Sequence, residues 1–366
     1  MMTETQPRTK SSIIFDQMQQ MDHEQVVFCH DQATGLKAIV AIHNTVLGPG
    51  MGGTRMWNYK SDDEALTDVL RLSRGMTFKS AIAGLNIGGG KAVIIGDAAT
   101  QKSEALLRRF GRFIDSLSGR YWTAEDVNMS ASDMEKIHME TDYVTGLPEN
   151  MGGSGDPSPV TAYGVYMGMK ASAKKVFGND SLTGKKVLVQ GTGKVGSYLI
   201  DHLAKENAEI LISDIFEEKL KAVSKKHKVK VISAEEIFNQ EMDVYAPCAL
   251  GATINDESLS KLKAAIVAGG ANNQLLDEAI HGKKLKDQNI IYAPDFLINS
   301  GGITNVFYEM MGNHNLDKVY AQTEKIYDTT LRVIATSEIE NESTHTAALR
   351  LATERISSMG KIKLPY

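Results

Sequence analysis

The chain has little that would mark it for a membrane, a nucleic acid or an oxidising compartment. Its 40 Lys+Arg against 45 Asp+Glu leave a formal charge of −5, so no basic excess drives sequence-independent binding to nucleic acid. The longest apolar runs, such as residues 38–42 and 92–95, fall far below the roughly 20 residues of a membrane span. Residues 1–12 are polar and lack the apolar centre of a secretory signal. Two cysteines, Cys29 and Cys248, give no disulfide framework and read as small side chains in a reducing compartment. Nine scattered histidines, with no H-E-x-x-H, give no case for a metal. No internal repeat or low-complexity tract is present. The 366 residues, 42% hydrophobic and 23% charged, then describe a soluble cytoplasmic protein of about two domains.

Three parts differ in rhythm. In residues 1–150, two β-branched stretches, 26–30 and 36–44, bracket the turn-forming residues 31–35 as a hairpin. Residues 61–76 read as a helix with a Ser61/Glu64 capping box and one apolar side, and residues 103–118 as another. Residues 91–95 and 120–124 read as short strands. Residues 151–330 open with a Gly/Pro/Ser-rich loop and a helix capped by Ser158 with Pro159 in its first position. Six short apolar stretches follow, at 186–190, 210–214, 230–232, 244–246, 266–268 and 290–292, separated by helical segments. That alternation predicts a doubly wound parallel sheet, so the fold class is α/β in two domains. Residues 331–366 read as C-terminal helices packing back toward the first domain.

The strand at 186–190 runs directly into Gly191-Thr192-Gly193-Lys194-Val195-Gly196 and then a helix. The glycines permit a tight turn, a close backbone approach to a pyrophosphate and tight helix–strand packing, while the helix N-terminus offers free N–H groups to phosphate. Such a triplet alone is weak evidence, and a glycine-rich turn in another α/β fold is the plain alternative. Here it opens a βαβ unit, and Asp214 ends the next strand. That carboxylate suits adenosine ribose hydroxyls and repels a 2′-phosphate, with no basic residue before Lys219, which favours NAD over NADP.

In the first part, residues 48–55 form a small-residue loop fit to bring bare N–H groups to an anion. Lys79 stands just after a helix end, Lys91 follows three glycines, and Asp126 ends a short strand. Each has a plainer reading: Lys79 as a solvated charge at a helix C-terminus, the glycines as a bend, and Asp126 or Ser130 as a cap. From spacing alone the reading stops at an anion site beside a nucleotide domain.

Longer motifs add to this. Residues 47–57 (LGPGMGGTRMW), 84–91 (GLNIGGGK), 121–126 (YWTAED), 156–164 (DPSPVTAYG), 246–252 (APCALGA) and 270–274 (GANNQ) resemble, in order, the glutamate/leucine/phenylalanine/valine dehydrogenase family. The resemblance runs from about residue 15 to 359. It implies an N-terminal substrate-binding, catalytic and oligomerisation domain, a Rossmann-type NAD-binding domain, and an active site in the cleft between them. It implies reversible, NAD-dependent oxidative deamination of an L-amino acid to its 2-oxo acid and ammonium. Lys79 matches the lysine that binds the substrate α-carboxylate, helped by the backbone of Gly52 and Gly53. Lys91 matches the catalytic lysine, and Asp126 the carboxylate that exchanges protons at the substrate nitrogen. Thr161 and Asn273 match residues that hold the nicotinamide carboxamide.

An ordinary lysine, with a pKa of about 10.4, is protonated at neutral pH, so burial and repulsion from Lys79 are expected to disfavour the charge on Lys91. By the same resemblance Met51, Ala124, Ile303 and Val306 line the side-chain pocket. All four are apolar and would strand a glutamate γ-carboxylate, so an aliphatic branched-chain substrate is expected, leucine first, then valine and isoleucine. Phenylalanine is the runner-up, and a catalytically silent NAD-binding sensor is the reading from another class. A homo-oligomer is implied, an octamer among the sizes. Two departures stand out: Met51 where the family's aliphatic-substrate members commonly have leucine, and Asp156 where asparagine is usual.

Overall fold

The computed structural model describes residues 13–362, so the reading of residues 1–12 lies outside the described residues. The chain divides into two units, one of residues up to Thr77 with Ile87–Thr145, the other of Phe78–Asn86 with Gly146 onward.

In the first unit, α1 (Ile13–Met21) precedes the antiparallel hairpin β1 (Gln25–Asp31) and β2 (Leu36–Asn44). Next come β3 (Gly50–Met51), β4 (Thr54–Trp57), α2 (Asp62–Ile82), β5 (Gly88–Ile95), α3 (Glu104–Asp115), β6 (Tyr121–Trp122) and α4 (Ala131–His138). The sheet order is β1-β2-β5-β3-β6, with β4 also on β5. Residues 48–55, expected to be loop, therefore contribute two short strands parallel to β5. The core on one face joins Ile39, Ala41 and Val93 to Ala65, Leu66, Val69 and Leu70 of α2.

Two helix readings change. Ser61 accepts from the Glu64 N–H at 3.1 Å, but the Glu64 carboxylate reaches back to the Lys60 N–H at 2.7 Å rather than to Ser61. Helix α2 also runs past residue 76, because buried Thr77, Ser80 and Ala81 continue its inner face with small or hydroxyl side chains. Lys79 thus sits in the last turn of α2, not after it. Likewise, Gly88–Ile95 is one strand, and the glycines are not a bend. A Cβ on Gly89 would lie 2.1 Å from Thr77 Oγ1 and 2.5 Å from Ser73 O, so glycine lets α2 lie directly on β5.

The second unit contains α5 (Ser158–Phe177), β7 (Lys186–Gln190), α6 (Lys194–Lys205), β8 (Glu209–Ser213), α7 (Glu217–Lys226), β9 (Val229–Val231) and β10 (Val244–Pro247). It continues through α8 (Asp256–Lys261), β11 (Ile266–Val267), α9 (Glu278–Asp287), β12 (Ile291–Tyr292), α10 (Asp295–Ile298), α11 (Gly301–Met310), α12 (Leu316–Glu324), α13 (Ile326–Ile339) and α14 (Thr344–Gly360). The six strands pair in the order β12-β11-β10-β7-β8-β9, all parallel. The order reverses between β7 and β10, the topological switch point at which a doubly wound sheet binds its ligand beyond the strand C-termini. Leu188, Leu211, Tyr245, Val267 and Tyr292 fill the core under these strands. Pro157, not Ser158, precedes α5, leaving Ser158 and Pro159 in its first turn. The C-terminal helices belong to this second unit, where α13 packs on α5 and α14 on α9 and β12; Arg355 of α14 also donates to Leu85 O and to Asn86 Oδ1, each at 2.8 Å, in the segment 78–86 that this unit includes and that was expected in the first domain. Among the described residues no helix is long and apolar enough to cross a membrane.

Candidate active site

In the first unit β5 carries Lys91, whose backbone pairs opposite Ala41 of β2. Only 6% of the residue is exposed, and a buried amine needs a polar partner. That partner is Asp126: Lys91 Nζ lies 2.8 Å from its Oδ2. The same carboxylate oxygen accepts from Arg55 Nε at 3.1 Å. Burial pushes the Asp126 carboxyl up, but Lys91 and Arg55 together outweigh it and hold the group below the usual carboxylate range. The group beside Lys91 Nζ is thus the Asp126 carboxylate.

Close backbone packing holds this pair. A Cβ on Gly52 would lie 1.9 Å from Gly90 O, and one on Gly53 would lie 2.2 Å from Glu125 O and 2.9 Å from Asp126 Cβ. The turn between β3 and β4 therefore rests directly on both the strand of Lys91 and the loop of Asp126. Gly52 is further tied by its N–H to Trp122 O at 3.2 Å and by the Tyr121 hydroxyl, which donates to Gly52 O at 2.6 Å. Its N–H is consequently engaged in the sheet. Thr54 N donates to Ala124 O at 2.8 Å, and buried Thr54 and Thr123 share a 2.6 Å hydroxyl contact. Met51 is buried at 1% exposure on β3, with Ala124 half-buried in the Asp126 loop. Ser130, not Asp126, caps α4.

The second unit holds the other expected residues. Lys79 Nζ is 3.5 Å from Asn272 Oδ1, which also accepts from Asn299 Nδ2 at 2.7 Å. Ile303 is buried on α11, and Val306, three residues on, is half-buried. Thr161 Oγ1 donates to Pro157 O at 3.0 Å, and exposed Asn273 adopts a left-handed backbone, φ 51°.

The turn after β7 fits a dinucleotide. Gly191 has φ 102°, a region closed to most side chains, and a Cβ on Gly196 would lie 2.0 Å from Gly191 O. A Cβ on Gly193 would meet nothing within 4 Å, so its backbone faces open space. Gly193 begins α6 with no side-chain cap, which leaves the first-turn N–H groups for an anion. Val195 packs beside Gly270, and Lys194 Nζ lies 3.4 Å from Asp156 Oδ2. Asp214 braces this turn, its Oδ2 accepting from Thr192 N at 2.7 Å and Thr192 Oγ1 at 3.0 Å, and its Oδ1 from Phe216 N at 3.0 Å. Burial pushes the Asp214 carboxyl up, but these donors prevail and keep it below the usual range.

Residues missed in the sequence are Arg55, Asp68 and Asn272. Arg55 lies within β4 between fully buried Thr54 and Met56, a setting that only the fold reveals.

A family model described as "Glu/Leu/Phe/Val dehydrogenase, dimerisation domain" matches residues 23–143. A second, "Glutamate/Leucine/Phenylalanine/Valine dehydrogenase", matches 152–216 and 212–362. Leucine dehydrogenase of Bacillus cereus is 50% identical over 353 residues, 96% of either chain. Phenylalanine dehydrogenase of Caldalkalibacillus thermarum is 44% identical over 357 residues, 96% of this chain and 95% of that one. The crystal structure of L-tryptophan dehydrogenase from Nostoc punctiforme superposes with a TM-score of 0.85 at 42% identity, covering 95% of this chain and 99% of that one.

Proposed function

The chain belongs to the glutamate/leucine/phenylalanine/valine dehydrogenase family, and from this premise we propose that it catalyses the NAD-dependent, reversible oxidative deamination of leucine, and of valine and isoleucine, to 2-oxo acid and ammonium. The buried 2.8 Å pair of Lys91 and Asp126 carries this reading, because it sets a base and a carboxylate side by side at the positions matching the family's catalytic ones.

A nicotinamide cofactor held at the Gly191–Gly196 turn would supply the acceptor for the hydride that leaves the substrate Cα. Everything else falls to side chains. Lys79 holds the α-carboxylate by charge, with the Gly53 backbone assisting. Asp126 takes a proton from the substrate ammonium, leaving the amine that becomes an iminium once hydride departs. Lys91 in its unprotonated form takes a proton from the water that attacks the iminium carbon; Asp126 returns its proton to nitrogen and, ionised again, accepts the hydroxyl proton as the C–N bond breaks, so that the carbonyl forms and ammonia leaves. Thr161 and Asn273 would hold the carboxamide, while Thr192, Lys194 and Val195 shape the phosphate turn. Asp214 would accept from the adenosine ribose hydroxyls, and its negative charge favours NAD over NADP.

Substrate choice rests on Met51, Ala124, Ile303 and Val306, none of which can pair with a γ-carboxylate. The relatives named leucine dehydrogenase support leucine. The pliability of Met51 and the 44%-identical phenylalanine dehydrogenase keep phenylalanine as the second substrate to assay. The dimerisation-domain match supports a homo-oligomer, with an octamer the size to test. Cys29 and Cys248 carry no disulfide, which suits the cytoplasm.

In Lys91→Ala, NADH formation from leucine should vanish while NAD still binds by calorimetry. Wild-type turnover in that variant would refute the role. A panel of amino acids with NAD and NADP ranks the substrates, and cofactor binding without turnover of any of them would point to the silent sensor.

A further inference from the structure

We propose that Arg55, held by Asp68 of α2, is a positioning residue of the deamination site, fixing the orientation and charge of the Asp126 carboxylate. The inference rests on the role of Asp126 given above. Its geometry lies wholly within the first unit. Arg55 Nε donates to Asp126 Oδ2 at 3.1 Å, and Nη1 of the same guanidinium donates to Asp68 Oδ2 at 3.0 Å. Asp68 is fixed in turn by the Tyr59 hydroxyl at 2.7 Å on Oδ2 and by Arg71 Nη2 at 3.3 Å on Oδ1. A planar fork spanning two carboxylates has a single orientation, which lysine cannot reproduce.

The charges form a row: Lys91, Asp126, Arg55, Asp68, Arg71. Facing Asp126 are Lys91 from β5, Arg55 from β4 and the Val127 N–H in its own loop, and the Tyr121 hydroxyl of β6 feels its charge. Facing Arg55 are Asp126, Asp68 and Tyr59. Arg55, Asp68 and Arg71 line a groove of about 580 Å³ together with Tyr59 and the acidic Asp63 and Glu64. Water there can hydrate the far end of the row, whereas Lys91 is enclosed. The consequence is a division of labour at one oxygen. Asp126 Oδ2 is shared by Lys91 and Arg55, so when the Lys91 proton moves during turnover, Arg55 keeps a positive charge on the carboxylate.

Losing that cation raises the pH at which Asp126 protonates, since a nearby guanidinium favours the ionised form. In Arg55→Met, the acid limb of the kcat/KM profile for leucine should therefore move up by about one pH unit or more, with kcat reduced at least tenfold and the KM for NAD unchanged. Asp68→Asn removes a carboxylate from the row and loosens the anchor of Arg55 without removing its charge; loss of a nearby negative charge favours ionised Asp126, so the limb should not move up, while kcat falls at least threefold through the lost orientation. Arg55→Lys should recover the limb position more than kcat, because charge returns without the fork. Asp68→Asn carries the test if Arg55→Met does not fold. An Arg55→Met limb that superposes on wild type would overturn the proposal, as would wild-type kcat or an upward limb in Asp68→Asn, or lower yield with an unchanged profile per folded enzyme. Asp126→Asn separates the two readings: its full activity would refute the role of Asp126 itself, whereas inactive Asp126→Asn beside an unshifted Arg55→Met limb and wild-type kcat in Asp68→Asn refutes only the positioning.

Discussion

Replacing Gly53 by alanine tests whether backbone packing sets the catalytic geometry. The new methyl carbon would stand 2.2 Å from Glu125 O, while ordinary contact begins at 3.4 Å, so about 1.2 Å must be found by moving backbone. It would also stand 2.9 Å from Asp126 Cβ. Neither neighbour is a flexible side-chain end. The 2.8 Å bond from Thr54 N to Ala124 O and the bridge between Thr54 and Glu125 tie the two segments together, so the strain falls on the loop bearing Asp126. A displacement of that size carries Asp126 out of hydrogen-bond reach of Lys91, now 2.8 Å away. Misplacement by about 1 Å costs roughly 100-fold in rate, and overpacking costs about 1–3 kcal/mol of stability. The assay is kcat at saturating leucine and NAD, with the urea midpoint measured on the same preparation. Gly75→Ala is the control: nothing lies within 4 Å of its new methyl, and in the middle of α2 alanine is favoured by about 0.5–1 kcal/mol. A Gly53→Ala enzyme within threefold of wild-type kcat would refute the reasoning.

The two units were unequally legible in the sequence, for a physical reason. Each strand of the second unit is a short apolar run bounded by helical periodicity, and β7 spans the residues expected. The parallel order also follows from alternating elements, because βαβ crossovers put neighbours side by side. The first unit is built otherwise. Strands β3 and β6 have two residues each, too few for any pattern, and exist because each pairs with a distant partner. The three glycines before Lys91 have high backbone freedom in isolation, yet they lie in a strand because only they allow α2 and Asn44 so close. Similarly, Thr77 and Ser80 continue the buried face of α2 without adding to its apolar count. The candidate site shows the same limit. Lys91, Asp126 and Asp214 stood out as charges beside glycines or at strand ends. Arg55 and Asp68 did not, since one lies inside a strand and the other on a helix, thirteen residues apart, and only the fold makes them partners.

Two further perturbations bear on the cofactor turn and on the packing behind Lys91. Asp214→Ala removes the acceptor of three hydrogen bonds at the Gly191–Gly196 turn as well as the charge expected to repel a 2′-phosphate. The KM for NAD should rise at least tenfold and the preference for NAD over NADP should narrow, so unchanged values of both would refute the assignment. His23 and His43 meet edge to face at 4.8 Å, with His43 Nδ1 2.8 Å from Thr77 Oγ1 and His23 Nε2 2.8 Å from Ser73 Oγ. Burial lowers both to about 4, against 6.5 when exposed, and in His23 the neighbouring His43 adds to the effect. The native state thus keeps them neutral while the unfolded chain binds protons below pH 6.5. The stability they contribute is complete above that value and is lost as the pH falls toward about 4. The urea midpoint should fall between pH 7 and pH 5, and less steeply in His43→Gln. Parallel slopes in the two proteins would show that this pair does not couple folding to pH.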